Sequence, residues 1–575
     1  MKVIRNILLV VIFILIVAFC LFIAQNFTKS GYEGRTNLVI NFRNVTGSMK
    51  GEVIKENDDI YLSMDDIKNY YDNNIYLDTK YNYIVAAGNG NIVCFDIKNE
   101  NAKYNNDIVK AKVIQKDGMY YIPVKMLEKI YNISVEYNDK TNIVVLDSKD
   151  KALKQATTKK KVSVKSKSSI LSKTLEEIDA GDIVYVRENN DKDNVASTVK
   201  EEASFKDKVK NFFKNLDKEN TKKWTFVRTK NGTTGYISNG DLNEATVARA
   251  EKKSEKPTVS MVWDYYEYTI ATPNNDSNTS YKGINVVSPA FFFVDENGNI
   301  KENIGEQGVR YIVWAKMKGY KIWPMVKCDN LLSDNMRDML SDYKKREKLI
   351  DQIAELCEKY QVDGVNIDME NINMSDKDYF SRFIIELKPR LESKNRSVSV
   401  DVTAPDGSPN WSLCYDRKTI GNVADYIVFM AYDQTSKKSQ NIASNASYAW
   451  VEGNIKKFIK NNEVPANKII VAMPLYSRIW KIKPDGTSEG AFDVNMKDQY
   501  KYINKATKSQ WLETEKQNYI EFEEKGFTYK MWVEDEKSIG AKMDLLKQYG
   551  LGGVAFWEKG CEIETVWDTV ENKLK

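Results

Sequence analysis

Two carboxylates stand two residues apart in an alternating stretch of the chain, residues 362–371. If this stretch forms a strand, Val365 and Ile367 point to one face, and Asp368 and Glu370 point to the other. Side chains two apart on one strand face lie roughly 7 Å apart, so the carboxylates would be neighbours. Such neighbours repel, and one of them tends to hold a proton at neutral pH. A protonated acid beside an ionised one suits cleavage of a glycosidic bond, and a solvated acidic strand face is the plain alternative.

The composition of the chain excludes several other catalytic chemistries. The 575 residues include no histidine, which removes His-based triads, histidine metal sites and histidine general bases. The 6 cysteines form no CxxC pair, so we expect buried, inert thiols in place of zinc ribbons or redox motifs. Acid–base chemistry must then come from Asp, Glu, Tyr, Lys or Cys. We expect no metal and no cofactor. The net charge of +4 gives no sign of a nucleic-acid partner.

The N-terminus has the pattern of a membrane anchor. Residues 7–24 carry no charged or strongly polar side chain, and this length is about enough to cross a bilayer as a helix. A cleaved signal peptide would end in a small-x-small site, which residues 22–24 match poorly. We therefore predict an uncleaved signal-anchor helix over residues 1–28, with the rest of the protein outside the cell, on the cell-wall side of the membrane.

An internal repeat with an offset of 60 residues occupies residues 34–150. Residues 60–85 match residues 120–145, and each copy has the pattern of a strand, a short helix and a strand–turn–strand unit. The repeat resembles the domain named after the N-terminal region of copper amine oxidases. The name implies no copper chemistry here, because copper sites of that kind use imidazoles and the chain has none. We predict a spacer or a wall-interaction module.

Residues 151–245 are predicted to form a basic linker followed by a small β-barrel. Short strands at residues 183–186, 224–228 and 232–237 are separated by glycine-containing turns. The last of them resembles the ending of bacterial Src-homology-3-like domains, which implies binding of cell-wall peptides. A role as a mere spacer is the alternative.

Eight apolar runs alternate with helical patterns in residues 256–575. Eight strands that alternate with helices over about 300 residues predict a (β/α)8 TIM barrel. The fold class of the whole chain is therefore multidomain: a transmembrane helix, an α+β repeat domain, a small β-barrel and a C-terminal TIM barrel with an α+β insertion near residues 477–533. The eight runs are residues 259–263, 284–293, 320–326, 362–371, 398–402, 426–432, 469–473 and 553–557.

Three motifs in this C-terminal part resemble glycoside hydrolase family 18. Residues 363–370, Asp-Gly-Val-Asn-Ile-Asp-Met-Glu, resemble its DGxDxDxE signature, and residues 430–433, Met-Ala-Tyr-Asp, resemble its MxYD motif. Trp557 stands where the family has its strand-eight tryptophan. Asn366 replaces an aspartate of the signature, and we expect this to alter the pH profile without abolishing activity. With an asparagine at this position, the signature resembles that of the subgroup of spore-cortex-lytic and germination enzymes, which cleave the glycan of peptidoglycan.

The resemblance implies a substrate-assisted retaining mechanism without an enzymic nucleophile. The 2-acetamido oxygen of the substrate attacks the anomeric carbon, while Glu370 protonates the leaving oxygen and later activates water. Asp368 accepts a hydrogen bond from the acetamido N–H and helps to keep a proton on Glu370. Tyr432 holds the acetamido group and Trp557 stacks on the sugar, with ordinary core packing as the alternative for both. The other candidate substrate-binding residues are Asn366, Asp433, Met430, Tyr476 and Trp323.

The sequence therefore predicts a membrane-anchored extracellular glycosidase that hydrolyses β-1,4 linkages of N-acetylglucosamine in peptidoglycan. A chitinase or an endo-N-acetylglucosaminidase for host glycans is one alternative, and a non-catalytic glycan-binding protein is another. The presence of Glu370 and Tyr432 counts against the non-catalytic reading. The expected partners are peptidoglycan or another N-acetylglucosamine polymer and, through the N-terminal helix, a membrane. We expect a monomer that binds no nucleic acid.

Overall fold

In the computed structural model, the chain divides into two compact units, Met1–Ala86 with Val93–Ser254 and Ala87–Ile92 with Glu255–Lys575. The predicted signal-anchor helix at residues 1–28 lies outside the described residues. Across the described ranges, we find no helix with the length and apolar character needed to span a bilayer. The structure describes residues 34–170, 172–187, 223–249, 257–265, 279–328, 331–370 and 372–575.

The two copies of the repeat form three sheets of four, four and five strands. Equivalent strands of the two copies, Asp59–Ser63 and Met119–Pro123, pair with each other in antiparallel fashion. In the first copy, the Ser63 side chain accepts a hydrogen bond from the Asp66 amide and starts the helix Met64–Tyr70. The second copy has Pro123 at this position, which cannot cap a helix with its side chain, and only a short 3-10 turn follows. The strands are Asn37–Ile40, Arg43–Asn44, Ile54–Glu56, Asp59–Ser63, Tyr76–Asp78, Tyr83–Gly88, Asn91–Asp96, Asn101–Tyr104, Asp107–Lys110, Ile114–Lys116, Met119–Pro123, Ile133–Asn138 and Ile143–Ser148.

A seven-stranded antiparallel sheet follows the repeats within the same unit. One of its strands, Leu153–Thr157, lies before Val162 in the stretch that we predicted to be a basic linker, so that part of the prediction is wrong. The reason is that Leu153 and Ala156 are buried on this strand, while the three lysines at residues 159–161 remain exposed. The Src-homology-3-like assignment stays a prediction. The strands are Leu153–Thr157, Val162–Lys165, Thr174–Ile178, Ile183–Val186, Trp224–Thr229, Thr234–Ser238 and Thr246–Arg249.

The C-terminal unit is a closed barrel of eight parallel strands, as the alternating pattern predicted. The last strand pairs with both the seventh and the first, so the sheet has no free edge there. The second and third strands are each broken into two segments. The strands are β1 (Val259–Asp264), β2 (Val286–Pro289 and Phe292–Val294), β3 (Lys321–Ile322 and Met325–Lys327), β4 (Gly364–Asp368), β5 (Ser397–Val402), β6 (Tyr426–Met430), β7 (Ile469–Pro474) and β8 (Gly553–Trp557), with the short strand Ile300–Glu302 paired to the end of β2.

Strand residues alternate between the helix layer and the barrel interior, and both sides are packed. On β1, Val262 belongs to the core between strands and helices, and Met261 and Trp263 belong to the core inside the barrel. At the start of β4, a Cβ on Gly364 would lie 2.9 Å from the Trp323 ring and against the backbone oxygen of Ser397, so only glycine fits. The helices are Gly305–Met317, Ser333–Ser341, Tyr343–Tyr360, Lys377–Glu392, Arg417–Val423, Tyr448–Lys460, Glu536–Tyr549 and Val566–Leu574.

The segment predicted as an insertion forms a five-stranded antiparallel sheet between β7 and β8. Its first strand starts two residues after β7 ends, so β7 directs the insertion to the C-terminal end of the barrel. At its far end, Glu534 is fully buried and accepts hydrogen bonds from Lys542 at 2.6 and 2.7 Å, which ties the sheet to the next helix. The strands are Tyr476–Ile482, Ser488–Asn495, Lys508–Leu512, Gln517–Glu524 and Phe527–Val533, with the short helix Tyr500–Ile503.

Candidate active site

A cavity of about 220 Å3 lies at the C-terminal ends of the barrel strands. Seven of the nine residues predicted for the site line this cavity, since the strand ends meet there. The other four lining residues, which were not predicted, are Trp263, Lys327, Asp401 and Trp411. The lining side chains are Trp263, Lys327, Asp368, Glu370, Asp401, Trp411, Met430, Tyr432, Asp433, Tyr476 and Trp557.

The two signature carboxylates share the cavity but differ in environment. Asp368 is the last residue of β4 and is 5% exposed. Glu370 follows two residues later and is exposed. The Tyr415 hydroxyl donates to the backbone oxygen of Met369 at 3.1 Å and holds the turn between them. Glu370 can therefore exchange protons with solvent or substrate, while Asp368 is buried deeper.

Lys327 is the buried cation of the site, and sequence reasoning missed it. It is the last residue of β3, where it lies opposite Asp368 in register, and its ammonium forms an ion pair with the Asp368 carboxylate. The two side chains are 8% and 6% exposed. The available signal was a lysine directly after the apolar run of the third strand, at the end of a barrel strand where function is concentrated.

Asn366 does not line the cavity, because its side chain is engaged inside the barrel. Its Oδ1 accepts a hydrogen bond from Trp263 Nε1 at 2.7 Å. Its Nδ2 donates to Asp401 Oδ1 at 2.7 Å and to Ser399 Oγ at 3.0 Å. The position of Asn366 therefore does not support the prediction that it binds substrate. Its side chain instead connects β1, β4 and β5 beneath the cavity.

Asp401 is a second missed acid, located on β5. It is 2% exposed and lines the cavity beside Asp368. Burial, together with the negative charge of Asp368, raises the pKa of Asp401 well above its usual range, which favours the neutral carboxylic acid. A charged residue inside an otherwise apolar strand run was the available signal.

Trp323 also lies away from the cavity. Because β3 is broken into two segments, Lys327 rather than Trp323 reaches the C-terminal end of the barrel. Trp323 packs inside the barrel against Tyr426, with ring centroids 5.7 Å apart. Its assignment as a substrate-binding residue is therefore not supported by its position.

Tyr432 and Asp433 follow β6 and meet the first strand of the insertion. Burial and the neighbouring Tyr476 raise the pKa of Tyr432 well above its usual range, so its phenol stays neutral and can donate a hydrogen bond. Asp433 Oδ1 accepts hydrogen bonds from Arg478 Nη2 at 2.5 Å and from the Tyr476 hydroxyl at 3.3 Å. Arg478 also donates to Asp493 Oδ1 at 2.8 Å, so the insertion orients the motif from outside the barrel.

Aromatic rings flank the cavity on two sides. Trp557, at the end of β8, is partly exposed and lies edge-on to the buried Trp263, with centroids 5.6 Å apart. Trp411, in the segment after β5, is 45% exposed and lines the cavity. The partly exposed rings offer apolar surfaces of the kind that stack on sugars. A tryptophan in a polar loop after a strand was the signal for Trp411.

We predict that Glu558, next to Trp557, makes stability depend on pH near neutrality. Burial and the nearby Asp264 raise the pKa of Glu558 to about 7. The folded protein then keeps this proton at pH values where the unfolded chain loses it, so the free energy of unfolding falls as pH rises toward and through 7. Glu558→Gln has no such proton to lose, so the variant should gain stability relative to the wild type between about pH 5 and 8.

The measurement is thermal unfolding of both proteins at several pH values. Glu564→Gln, at an exposed position nearby, is the matched control and should parallel the wild type. A wild-type-to-variant difference that does not change with pH would contradict the assignment.

Two parts of the chain match known families. Residues 261–561 match the family described as glycosyl hydrolases family 18, and residues 39–146 match the copper amine oxidase N-terminal domain. The repeat resemblance predicted for residues 34–150 is thus confirmed.

Individual relatives are more distant. The chain is 28% identical over 335 residues to the uncharacterized glycosylase YvbX of Bacillus subtilis (strain 168), covering 56% of this chain and 94% of that protein. It is 24% identical to the cortical fragment-lytic enzyme of Bacillus anthracis, covering 41% of this chain and 56% of that enzyme. The solved spore cortex-lytic enzyme SleL of Bacillus megaterium QM B1551 is 20% identical, with a TM-score of 0.48, covering 60% of this chain and 77% of SleL.

Proposed function

This chain belongs to glycosyl hydrolases family 18 and is a glycoside hydrolase, and we propose that it cleaves β-1,4 linkages of N-acetylglucosamine in peptidoglycan. The observation that carries the proposal is the placement of Glu370, Asp368 and Tyr432 in one cavity, with the first exposed and the second buried. The choice of peptidoglycan is supported by the similarity to a cortical fragment-lytic enzyme. The repeat domain in the same chain also favours a wall polymer over a soluble oligosaccharide.

The site residues suit a substrate-assisted reaction. As the acetamido oxygen of the substrate bonds to the anomeric carbon, Glu370 gives its proton to the departing oxygen. Asp368 accepts a hydrogen bond from the acetamido N–H, and the neutral Tyr432 hydroxyl donates one to the acetamido oxygen. The Glu370 carboxylate then takes a proton from the water that opens the cyclic intermediate, which retains the configuration. Trp557 stacks on the sugar ring.

The test is a product analysis with residues 34–575, the part of the chain that follows the predicted anchor. It is incubated with re-N-acetylated peptidoglycan, with spore cortex and with chitin oligomers, and the new reducing ends are identified by mass spectrometry. Release of fragments with N-acetylglucosamine reducing ends from the two wall polymers supports the proposal. Release from chitin alone would assign the chitinase alternative, and no release from any polymer would leave only glycan binding.

We further propose that the protein is membrane-anchored and extracellular, a prediction that rests on the apolar residues 7–24. Protease added to intact cells that express the full chain should remove the C-terminal unit, while a cytoplasmic marker protein stays intact. A variant that lacks residues 1–28 should remain inside the cell and escape digestion. Protection of the full-length chain would reverse the proposed orientation.

A further inference from the structure

We propose that Lys327 is a positioning residue, which holds the Asp368 carboxylate oriented toward the acetamido group of the substrate. The inference rests on the proposed function, because it concerns the same cavity. Neither the fourth-strand signature nor the motif after the sixth strand includes Lys327, which stands on β3.

The ion pair between Lys327 and Asp368 is built into the barrel. Both residues end neighbouring parallel strands and are register partners, so the backbone itself brings their side chains together. The Lys327 ammonium also lies 5.4 Å from the ring centroid of Tyr265 and 5.9 Å from that of Trp557. Aromatic faces attract a cation, and they help to keep a buried ammonium charged. The ring proposed to stack on the sugar is thus in contact with the cation that binds Asp368.

Asn366 cannot be the residue that holds the Asp368 carboxylate in place. An indole N–H can only donate, so the Trp263 Nε1 contact turns the amide oxygen of Asn366 toward β1. The amide nitrogen must then face β5, where it donates to Asp401 and Ser399. An amide N–H is also not acidic enough to transfer its proton to a carboxylate. Asn366, which stands where the family signature has an acid, thus makes its hydrogen bonds inside the barrel. The partner of Asp368 comes from β3 instead.

Several other ionisable groups interact electrostatically with Asp368, and none of those named here is a cation. Asp401 on β5 is an acid, and Tyr432 after β6 and Tyr415 are phenols. Glu370 lines the same cavity, and Glu558, after β8, interacts with Lys327. Lys327 is therefore the cation paired with Asp368 among the described residues.

Replacing Lys327 by methionine removes the charge and keeps much of the side-chain volume. Asp368 would then be a buried carboxyl group without its counter-charge, and no ammonium would hold it in place for the acetamido N–H. We expect kcat to fall about 100-fold, with KM within about threefold.

Two variants separate positioning from mere structure. Lys327→Arg keeps a cation at the same place and should recover at least about a tenth of the wild-type kcat. Lys321→Met is the matched control, because Lys321 pairs with Asp363 at 2.8 Å at the opposite end of the same two strands. Its kcat and KM should match those of the wild type.

All variants are assayed in the full-length chain, purified in detergent, on the wall polymer that the wild type degrades, with thermal unfolding to show that they are folded. A folded Lys327→Met with wild-type kcat and KM overturns the inference while the proposed function stands. A loss of kcat with no recovery in Lys327→Arg also overturns it, since that is a structural defect. A wild type inactive on every glycan overturns the proposed function, and the inference with it.

Discussion

Replacing Glu370 by glutamine should lower kcat on the wall polymer by about 10²- to 10⁴-fold. Glutamine keeps the shape of the side chain but has no acidic proton for the leaving oxygen and no carboxylate to activate water. The exposed position of Glu370 in the cavity makes it the group that can carry out both transfers. Because the same hydrogen-bonding surface remains, we expect little change in KM. The measurement is the rate of release of reducing ends at saturating substrate.

Glu355→Gln provides the matched control for this result. Glu355 is exposed on the helix Tyr343–Tyr360, outside the barrel, and does not line the cavity. Its substitution should leave both kinetic constants within about twofold of the wild type. If Glu370→Gln retained full activity, the assignment of the acid would be wrong even if the function is right.

The second large effect concerns stability. Replacing Lys542 by methionine should lower the free energy of unfolding of the C-terminal unit by about 3–5 kcal/mol. Lys542 and Glu534 are both 0% exposed, so the substitution leaves a buried carboxylate that keeps only neutral donors, Gln517 at 2.6 Å and Ser538 at 2.7 Å. The insertion that carries Tyr476 and Arg478 is anchored by this pair, so we also expect lower activity at temperatures near unfolding.

Chemical denaturation followed by tryptophan fluorescence measures this loss well, because ten of the 11 tryptophans lie in the C-terminal unit. The control is Lys573→Met, which removes an ion pair with Asp544 whose two side chains are 36% and 59% exposed. Exposed pairs contribute about 0–1 kcal/mol, so this variant should unfold close to the wild type. Equal losses in both variants would contradict the argument from burial.

The fate of individual sequence predictions shows where local patterns suffice. The alternation in residues 362–371 predicted that Asp368 and Glu370 are neighbours, and both line the cavity, although β4 ends at Asp368 and Glu370 follows the strand. Trp323 was misplaced, because the break that divides β3 into two segments leaves no pattern in the apolar run. The strand Leu153–Thr157 within the predicted basic linker was missed, because polar residues separate its two buried positions, Leu153 and Ala156.

The sequence by itself determined the family, the eight-stranded barrel and the strand that carries the acid, since periodicity and motif spacing are properties of neighbouring residues. Only the tertiary structure decided that Lys327 is the partner of Asp368 and that Asp401 binds Asn366. These pairs are 41 and 35 residues apart in the chain, across intervening helices. The register between parallel strands arises from how those helices pack, so no local pattern in either strand encodes it. The chemistry around the signature is therefore set by strands that the signature does not contain.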